Sequence, residues 1–137
     1  MLRRLAAAAL AAGLSAPAAQ GQITGEYVDY TVRDTVFEGY YVRNADLEET
    51  RGTVVIVHDW DGLTGYEERR AEMLAAQGYA VFALDVYGKE ADPQGVDDYR
   101  ALSGAMYGDR ESFRSRLRAG LEAARAQEGA AQQVVVM

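Results

Sequence analysis

The chain has no cysteine among its 137 residues. This absence excludes disulfide crosslinks, a cysteine nucleophile within these residues and a lipid-modified cysteine anchor near the N-terminus. The fold must therefore be stabilised by packing rather than by disulfides. With 49% apolar residues, the chain is long enough to bury one core and no more.

Positive charge is also scarce. Fourteen Lys and Arg residues stand against twenty-one Asp and Glu residues, so the formal net charge is −7. No basic cluster with interleaved aromatic residues offsets this balance. A chain this acidic is repelled by nucleic-acid phosphates and by anionic membrane surfaces, so we expect neither as a partner of the mature protein.

Long hydrophobic runs are missing, and the apolar run from Leu5 to Leu14 is too short to span a membrane comfortably. It follows a basic start and precedes an A-x-A site at residues 16–18, which is the layout of a secretory signal peptide. We expect a signal peptide at residues 1–18, with cleavage after Ala18 as the first choice and after Gly21 as the second, and one domain at residues 19–137. The protein is then exported, either periplasmic or secreted, and its net charge falls to −9 because Arg3 and Arg4 are lost.

The hydrophobic periodicity predicts a mixed α/β fold. "EYVDYTV" and "TVFEGYYV" alternate with a period of two, as half-buried strands of a hairpin do, whereas "TVVIVH" and "YAVFALDV" are continuous apolar runs typical of strands covered on both faces. Helical patterns separate the later strands. The predicted order is β-β-β-α-β-α-α-β, an antiparallel hairpin followed by alternating β and α units in a mainly parallel sheet.

The first predicted helix carries a capping signal. Thr64 and Glu67 have the T-x-x-E spacing of a capping box, and Gly78 follows the helix as a stop signal. Large side chains recur along one side of this helix and are expected to face the core: Tyr66, Arg70, Met73 and Leu74.

Bulky polar and aromatic residues follow the third predicted strand, in the stretch "HDWDG" at residues 58–62. A simple turn would more often use Gly, Asn or Ser at these positions. In largely parallel sheets, ligands bind at the carboxyl ends of the strands. The segments after His58 and after Asp85 are therefore the places to search for a site.

Several elements together resemble the dienelactone hydrolase family of α/β-hydrolases. The residues that carry the resemblance are "FEGYYV" (residues 37–42), "HDWDGL" (residues 58–63) and "ERRAEMLAAQGYAVFALDVYG" (residues 68–88). The resemblance covers about residues 25–137. It implies an α/β-hydrolase that acts on ester or lactone bonds of small molecules by nucleophilic acyl transfer, without a cofactor or a metal.

The final stretch "QQVVVM" resembles the family strand that runs into the nucleophile elbow, G-x-S-x-G or G-x-C-x-G. The resemblance then implies an incomplete α/β-hydrolase fold, in which the nucleophile, acid and base of the triad are absent from the chain. The serines agree with this expectation, since Ser15, Ser103, Ser112 and Ser115 all lie outside a G-x-S-x-G motif. We expect the 137 residues to be inactive alone.

The resemblance assigns part of the site to the loop after the third strand. The backbone N–H of Trp60 would be one oxyanion donor, and Asp59 falls where the family has a glutamate that faces the nucleophile. His58, Tyr87 and Arg100 are weaker candidates for the substrate pocket. We interpret His58 chiefly as a strand-end histidine bonded to the backbone.

Two other functions fit the same residues. A hydrophobic strand running into D-x-D-G also occurs in haloacid-dehalogenase-like phosphatases, in which Asp59 would attack phosphorus, Asp61 would be the acid/base and both would hold Mg²⁺. Leu63 after the glycine and the two strands before the motif are unusual for that class. A non-catalytic exported binding domain is the third hypothesis.

Overall fold

A computed structural model describes residues 21–137, so the signal peptide predicted at residues 1–18 lies outside the described residues. The elements are β1 (Ile23–Val32), β2 (Thr35–Asn44), β3 (Thr53–Val57), α1 (Gly65–Ala75), β4 (Ala80–Leu84), α2 (Val96–Gly108), α3 (Arg110–Arg125) and β5 (Val134–Val136). This is the predicted order. Within residues 21–137, no helix has the length and apolar character needed to cross a membrane.

The five strands form one sheet in the order β1-β2-β4-β3-β5. β1 pairs with β2 and β2 pairs with β4 in antiparallel fashion, whereas β3 pairs with β4 and with β5 in parallel. The prediction of an α/β fold with an N-terminal hairpin and a parallel continuation is therefore confirmed. Because β3 and β4 are parallel neighbours, their carboxyl ends lie side by side at one edge of the sheet.

The hairpin is closed by a two-residue turn between Val32 and Thr35, which face each other in the register. Arg33 in this turn has a φ of 55°, in the left-handed region that tight hairpin turns use. The alternation along β1 also holds, since Tyr30 is buried while Tyr27 is 57% exposed.

The sheet has a core on each face. On one face, Phe37, Phe82 and Leu84 pack with the apolar side of α3. On the other face, Val42, Val54 and Val81 pack with α1. Both faces of β3 and β4 are covered, which explains the continuous apolar runs of these strands.

The prediction for α1 was right about its start and about Leu74, but wrong about other side chains that we expected to face the core. Thr64 and Glu67 form the complete capping box. Tyr66 and Met73, however, are 55% and 58% exposed, whereas Ala71 and Ala75 are fully buried. Small side chains let α1 approach the sheet closely, so Tyr66 and Met73 lie on the solvent side, whereas Leu74 is partly buried against the core as expected.

β5 lies at the open edge of the sheet beside β3. Val135, Val136 and Met137 are 65%, 57% and 57% exposed. A strand whose apolar side chains remain exposed at a sheet edge is a site where further chains can pair.

Candidate functional site

The site lies where β3 and β4 end. β3 leads through His58 into the loop of residues 59–64 that precedes α1, and β4 leads into the turn of residues 85–88. The parallel pairing of Val57 with Leu84 brings the two segments together.

His58 joins the two segments. The backbone N–H of Val86 donates to its Nε2 at 3.1 Å. Nε2 therefore carries no proton, and Nδ1 donates to the carbonyl oxygen of Asp59 at 2.6 Å. The residue is only 6% exposed. Both ring nitrogens are thus bonded to the backbone, as our interpretation of His58 expects, and within residues 21–137 no serine hydroxyl is hydrogen-bonded to them.

The turn after β4 is held by Asp85. Its Oδ1 accepts from the N–H of Tyr87 at 2.7 Å, and its Oδ2 accepts from the N–H of Gly88 at 2.8 Å. The carbonyl oxygen of Asp85 accepts a hydrogen bond from the hydroxyl of Tyr30 on β1. Asp85 is buried, and each of its carboxylate oxygens accepts a hydrogen bond from a turn amide. These bonds fix the position of Tyr87.

Tyr87 in turn fixes the loop after β3. Its hydroxyl donates to the carbonyl oxygen of Trp60 at 2.9 Å, and its ring packs edge-on against His58 with centroids 4.6 Å apart. Burial raises the pKa of the Tyr87 phenol, and the nearby Asp59 and Asp61 carboxylates raise it further, so the hydroxyl stays protonated as a donor. The Trp60 ring rests edge-on against Tyr99 of α2, with centroids 5.4 Å apart.

The carboxyl groups of Asp59 and Asp61 interact. A hydrogen bond to Asp59 raises the pKa of the Asp61 carboxyl, and the same bond lowers the pKa of Asp59. The backbone N–H of Asp61 donates to Asp59 Oδ1 at 3.3 Å, and the N–H of Trp60 also contributes to the lowered pKa of Asp59.

Asp59, Asp61 and Glu67 place carboxylate oxygens within 4.8 Å of one another. Glu67 already has partners, because one of its carboxylate oxygens accepts from the backbone N–H of Thr64 at 2.8 Å and from the Thr64 hydroxyl at 2.9 Å. The capping of α1 is therefore enough to explain why this glutamate is buried.

A cavity of about 330 Å³ opens beside these residues and is called the apolar cavity below. Its lining consists of Val57, His58, Asp59, Trp60, Val86, Tyr87, Ser103, Met106, Tyr107 and Phe113. Four of the five positions that the hydrolase resemblance assigned to the site are brought together here. Arg100 is not among them, because it is exposed on α2 with its Nη1 at 3.5 Å from Asp97 Oδ1.

Sequence reasoning missed the part of the lining that α2 and α3 contribute. Met106 of α2 and Phe113 of α3 are apolar residues of the kind that a helix buries in any fold, so their type alone did not mark a site. Ser103 and Tyr107 carried no comparable signal. The Ser103 hydroxyl donates to the carbonyl oxygen of Tyr99 at 2.7 Å, within its own helix.

A second cavity of about 330 Å³ lies on the other side of Tyr87 and is called the acidic cavity below. Its lining includes one lysine, Lys89, and five carboxylates: Glu38, Asp61, Glu68, Asp85 and Asp92. Lys89 is paired with Asp29 at 2.9 Å and with Glu38 at 2.6 Å. Both cavities thus carry more negative than positive charge.

Comparisons with known proteins agree with this geometry. The chain is 30% identical to a dienelactone hydrolase-like promiscuous phosphotriesterase from metagenomic libraries, with a TM-score of 0.78 over 85% of this chain and 48% of that one. A dienelactone hydrolase from Anabaena variabilis (18% identity, TM-score 0.57, 84% of this chain and 50% of that one) has a similar fold. So does a cold-adapted esterase from an Arctic intertidal metagenomic library (19% identity, TM-score 0.61, 91% of this chain and 53% of that one).

The chain therefore spans about half the length of the solved structures that it matches. No significant match was found among curated proteins. The sequence profile of the dienelactone hydrolase family matches residues 37–137, which is most of the chain. The chain belongs to the dienelactone hydrolase family.

Proposed function

We propose that the chain is the N-terminal half of a catalytic domain that cleaves an ester or lactone of a small molecule by nucleophilic acyl transfer. In this proposal the backbone N–H of Trp60 is one of two oxyanion donors, and Asp59 faces the position of the nucleophile. The observation that carries the proposal is the place of the 59–62 loop at the carboxyl ends of β3 and β4, beside the apolar cavity, in a chain of this family.

We also propose that the nucleophile, the acid and the base come from sequence outside these 137 residues. Acyl transfer by this route requires a nucleophile within hydrogen-bond reach of its base. Here both ring nitrogens of His58 are bonded to the backbone, and the hydroxyls of Ser103 and Ser115 donate to carbonyls in their own helices. The 137 residues alone are therefore expected to be inactive.

The proposed chemistry sets the other hypotheses aside. The phosphatase hypothesis required membership of the haloacid-dehalogenase-like family. The chain instead matches the dienelactone hydrolase family, so we do not retain that hypothesis. The name of the phosphotriesterase relative concerns that protein, although a site that stabilises an oxyanion at carbon resembles one that does so at phosphorus. No observation on residues 21–137 favours a purely non-catalytic binding domain.

Export remains part of the proposal. The basic start, the apolar run and the A-x-A site support cleavage after Ala18 and a periplasmic or secreted mature protein. Mass spectrometry of the exported protein should show a chain that begins near Ala19. An exported protein that retained Met1 would contradict this part of the proposal.

The hydrolase proposal is tested by completing the domain. Residues 21–137 are joined to the second half of the phosphotriesterase relative, at the end of the strand that corresponds to β5. This chimera should hydrolyse a p-nitrophenyl ester with saturation kinetics, whereas the 137-residue chain should not. A chimera that unfolds cooperatively yet hydrolyses no ester would contradict the proposal, as would turnover by the chain alone that His58→Ala or Ser103→Ala abolishes.

A further inference from the structure

Tyr30 of β1 is bonded to the site but does not line it. Its ring is held by two aromatic neighbours, with centroids 5.5 Å from that of Phe37 and 6.1 Å from that of Phe82, and the residue is 8% exposed. It is not among the residues that line the apolar cavity or the acidic cavity. Its hydroxyl nevertheless donates to the carbonyl oxygen of Asp85, in the turn after β4.

This bond is the first of three that run in one direction toward the loop after β3. The carbonyl of Asp85 and the N–H of Val86 belong to the same peptide group, and this N–H donates to Nε2 of His58 at 3.1 Å. Nδ1 of the same imidazole donates to the carbonyl oxygen of Asp59 at 2.6 Å. That carbonyl shares its peptide group with the N–H of Trp60. The hydrogen-bonded series, called the relay below, thus ends on the proposed oxyanion donor.

The chemistry of the groups fixes the direction of the relay. Burial raises the pKa of the Tyr30 phenol, and the Asp85 carboxylate raises it further, so the hydroxyl keeps its proton and donates. The amide of Val86 can only donate, so Nε2 of His58 must be the acceptor and Nδ1 the donor.

A relay of this kind strengthens and orients the N–H group at its end. Hydrogen bonds arranged head to tail polarise one another, by about 10–30% per bond in condensed phases. Each bond accepted by a carbonyl leaves the N–H of the same peptide group more positive, so the effect reaches the Trp60 N–H. The Tyr87 hydroxyl holds the next carbonyl along the chain, that of Trp60, at 2.9 Å. An oxyanion donor is effective when its dipole is oriented before the reaction begins.

We propose that Tyr30 is a positioning residue of the oxyanion site, which acts through the Asp85–Val86 peptide group and His58 to orient and polarise the N–H of Trp60. This role rests on the proposed function, because it takes Trp60 as an oxyanion donor. The N-terminal hairpin then contributes to catalysis without touching the substrate, since β1 supplies the hydroxyl at the start of the relay.

The relay is tested first by NMR on the 137-residue chain with Tyr30→Phe, which keeps the aromatic ring and removes only the hydroxyl. His58 and Trp60 are the only histidine and the only tryptophan of the chain, so selective ¹⁵N labelling identifies their signals. In the parent, Nε2 of His58 should have the shift of an unprotonated ring nitrogen and Nδ1 that of a protonated one. In Tyr30→Phe, the amide nitrogen of Trp60 should move upfield, because its peptide group is less polarised.

Tyr41→Phe is the matched control. Tyr41 of β2 is 3% exposed, and its hydroxyl donates to the carbonyl oxygen of Glu128 at 2.7 Å, outside the relay. The substitution removes the same kind of bond as Tyr30→Phe. It should therefore cause a similar loss of stability in urea, while the amide signal of Trp60 stays in place.

A second pair of variants tests the middle of the relay. Glutamine carries an acceptor oxygen and a donor nitrogen on one planar amide, so it can join Val86 to Asp59 again, whereas leucine can make neither bond. The amide signal of Trp60 in His58→Gln should therefore stay closer to that of the parent than in His58→Leu.

In the chimera, Tyr30→Phe should lower kcat for the p-nitrophenyl ester about three- to tenfold and leave KM unchanged, because the oxyanion forms only in the transition state. Tyr41→Phe should change neither. A Trp60 amide signal that stays in place in Tyr30→Phe, or that moves as far in Tyr41→Phe, would overturn the inference, as would a Tyr30→Phe chimera with the kcat of the parent. A folded chimera that hydrolyses no ester would instead contradict the hydrolase proposal, because NMR measures the relay without turnover.

Discussion

The backbone N–H of Val86 donates to Nε2 of His58 at 3.1 Å, and this bond connects the ends of two parallel strands. It is buried, and it fixes the imidazole so that Nδ1 can donate to the carbonyl oxygen of Asp59. The only histidine of the chain therefore organises the loop that carries the candidate site, and the structure gives it no role as a base.

Replacing His58 should destabilise the protein. His58→Ala leaves the buried amide of Val86 without an acceptor, so we expect a loss of about 1–3 kcal/mol in the free energy of unfolding. Urea denaturation followed by circular dichroism measures this loss. His58→Asn is the control, because the asparagine side-chain oxygen can accept a hydrogen bond from the Val86 amide. This variant should lose less stability than His58→Ala. A His58→Ala variant as stable as the parent would contradict the structural role.

The capping box of α1 makes a second stability prediction. Thr64→Ala removes the side-chain oxygen that accepts from the N–H of Tyr66 at 3.2 Å, and we expect it to cost about 1 kcal/mol. Thr64→Ser keeps the oxygen and should cost much less. Urea denaturation of both variants checks this, and equal losses would show that the cap itself contributes nothing.

The two interacting carboxyls give a prediction about pH. The hydrogen bond to Asp59 raises the pKa of Asp61, so Asp59→Ala should lower the Asp61 pKa toward its usual range. Conversely, the bond from Asp61 lowers the pKa of Asp59, so Asp61→Ala should raise it. NMR titration of the carboxyl carbons measures both shifts. Titration curves that stay unchanged in both variants would rule out the interaction.

The edge strand predicts self-association of the 137-residue chain. β5 exposes apolar side chains and the pairing groups of its outer edge, which favours edge-to-edge contacts between copies. Val135→Lys should shift the chain toward monomer in analytical ultracentrifugation. Met73→Lys adds the same charge on an exposed position of α1 and should not do so. Equal effects of the two substitutions would point to net charge rather than to the edge strand.

The order of the elements could be predicted from the sequence because each one carries a local signal. Alternation marks β1 and β2, continuous apolar runs mark β3 and β4, and Thr64 with Glu67 marks the start of α1. The buried face of α1 could not be predicted in this way. Its packing depends on the close approach of Ala71 and Ala75 to the sheet, whereas the size of Tyr66 and Met73 suggested the opposite face.

The candidate site was also predictable only in part, because contacts between residues far apart in the sequence leave no local pattern. The stretch at residues 58–62 stood out because its residue types are unusual for a turn, and the parallel topology placed it at the ligand-binding edge. The bonds that hold it, from Val86 to His58 and from Tyr87 to Trp60, span 28 and 27 residues of sequence. Neither these bonds nor the contributions of Ser103 and Tyr107 to the cavity follow from a local pattern.

The central claim, that Trp60 supplies an oxyanion donor through its backbone, is tested most directly by Trp60→Pro in the chimera described above. Proline removes the N–H, whereas Trp60→Ala removes only the indole and keeps the N–H. We expect Trp60→Pro to lower kcat by about 10²–10³-fold relative to Trp60→Ala, because the missing donor acts in the transition state. A folded Trp60→Pro chimera with the kcat of Trp60→Ala would contradict the claim.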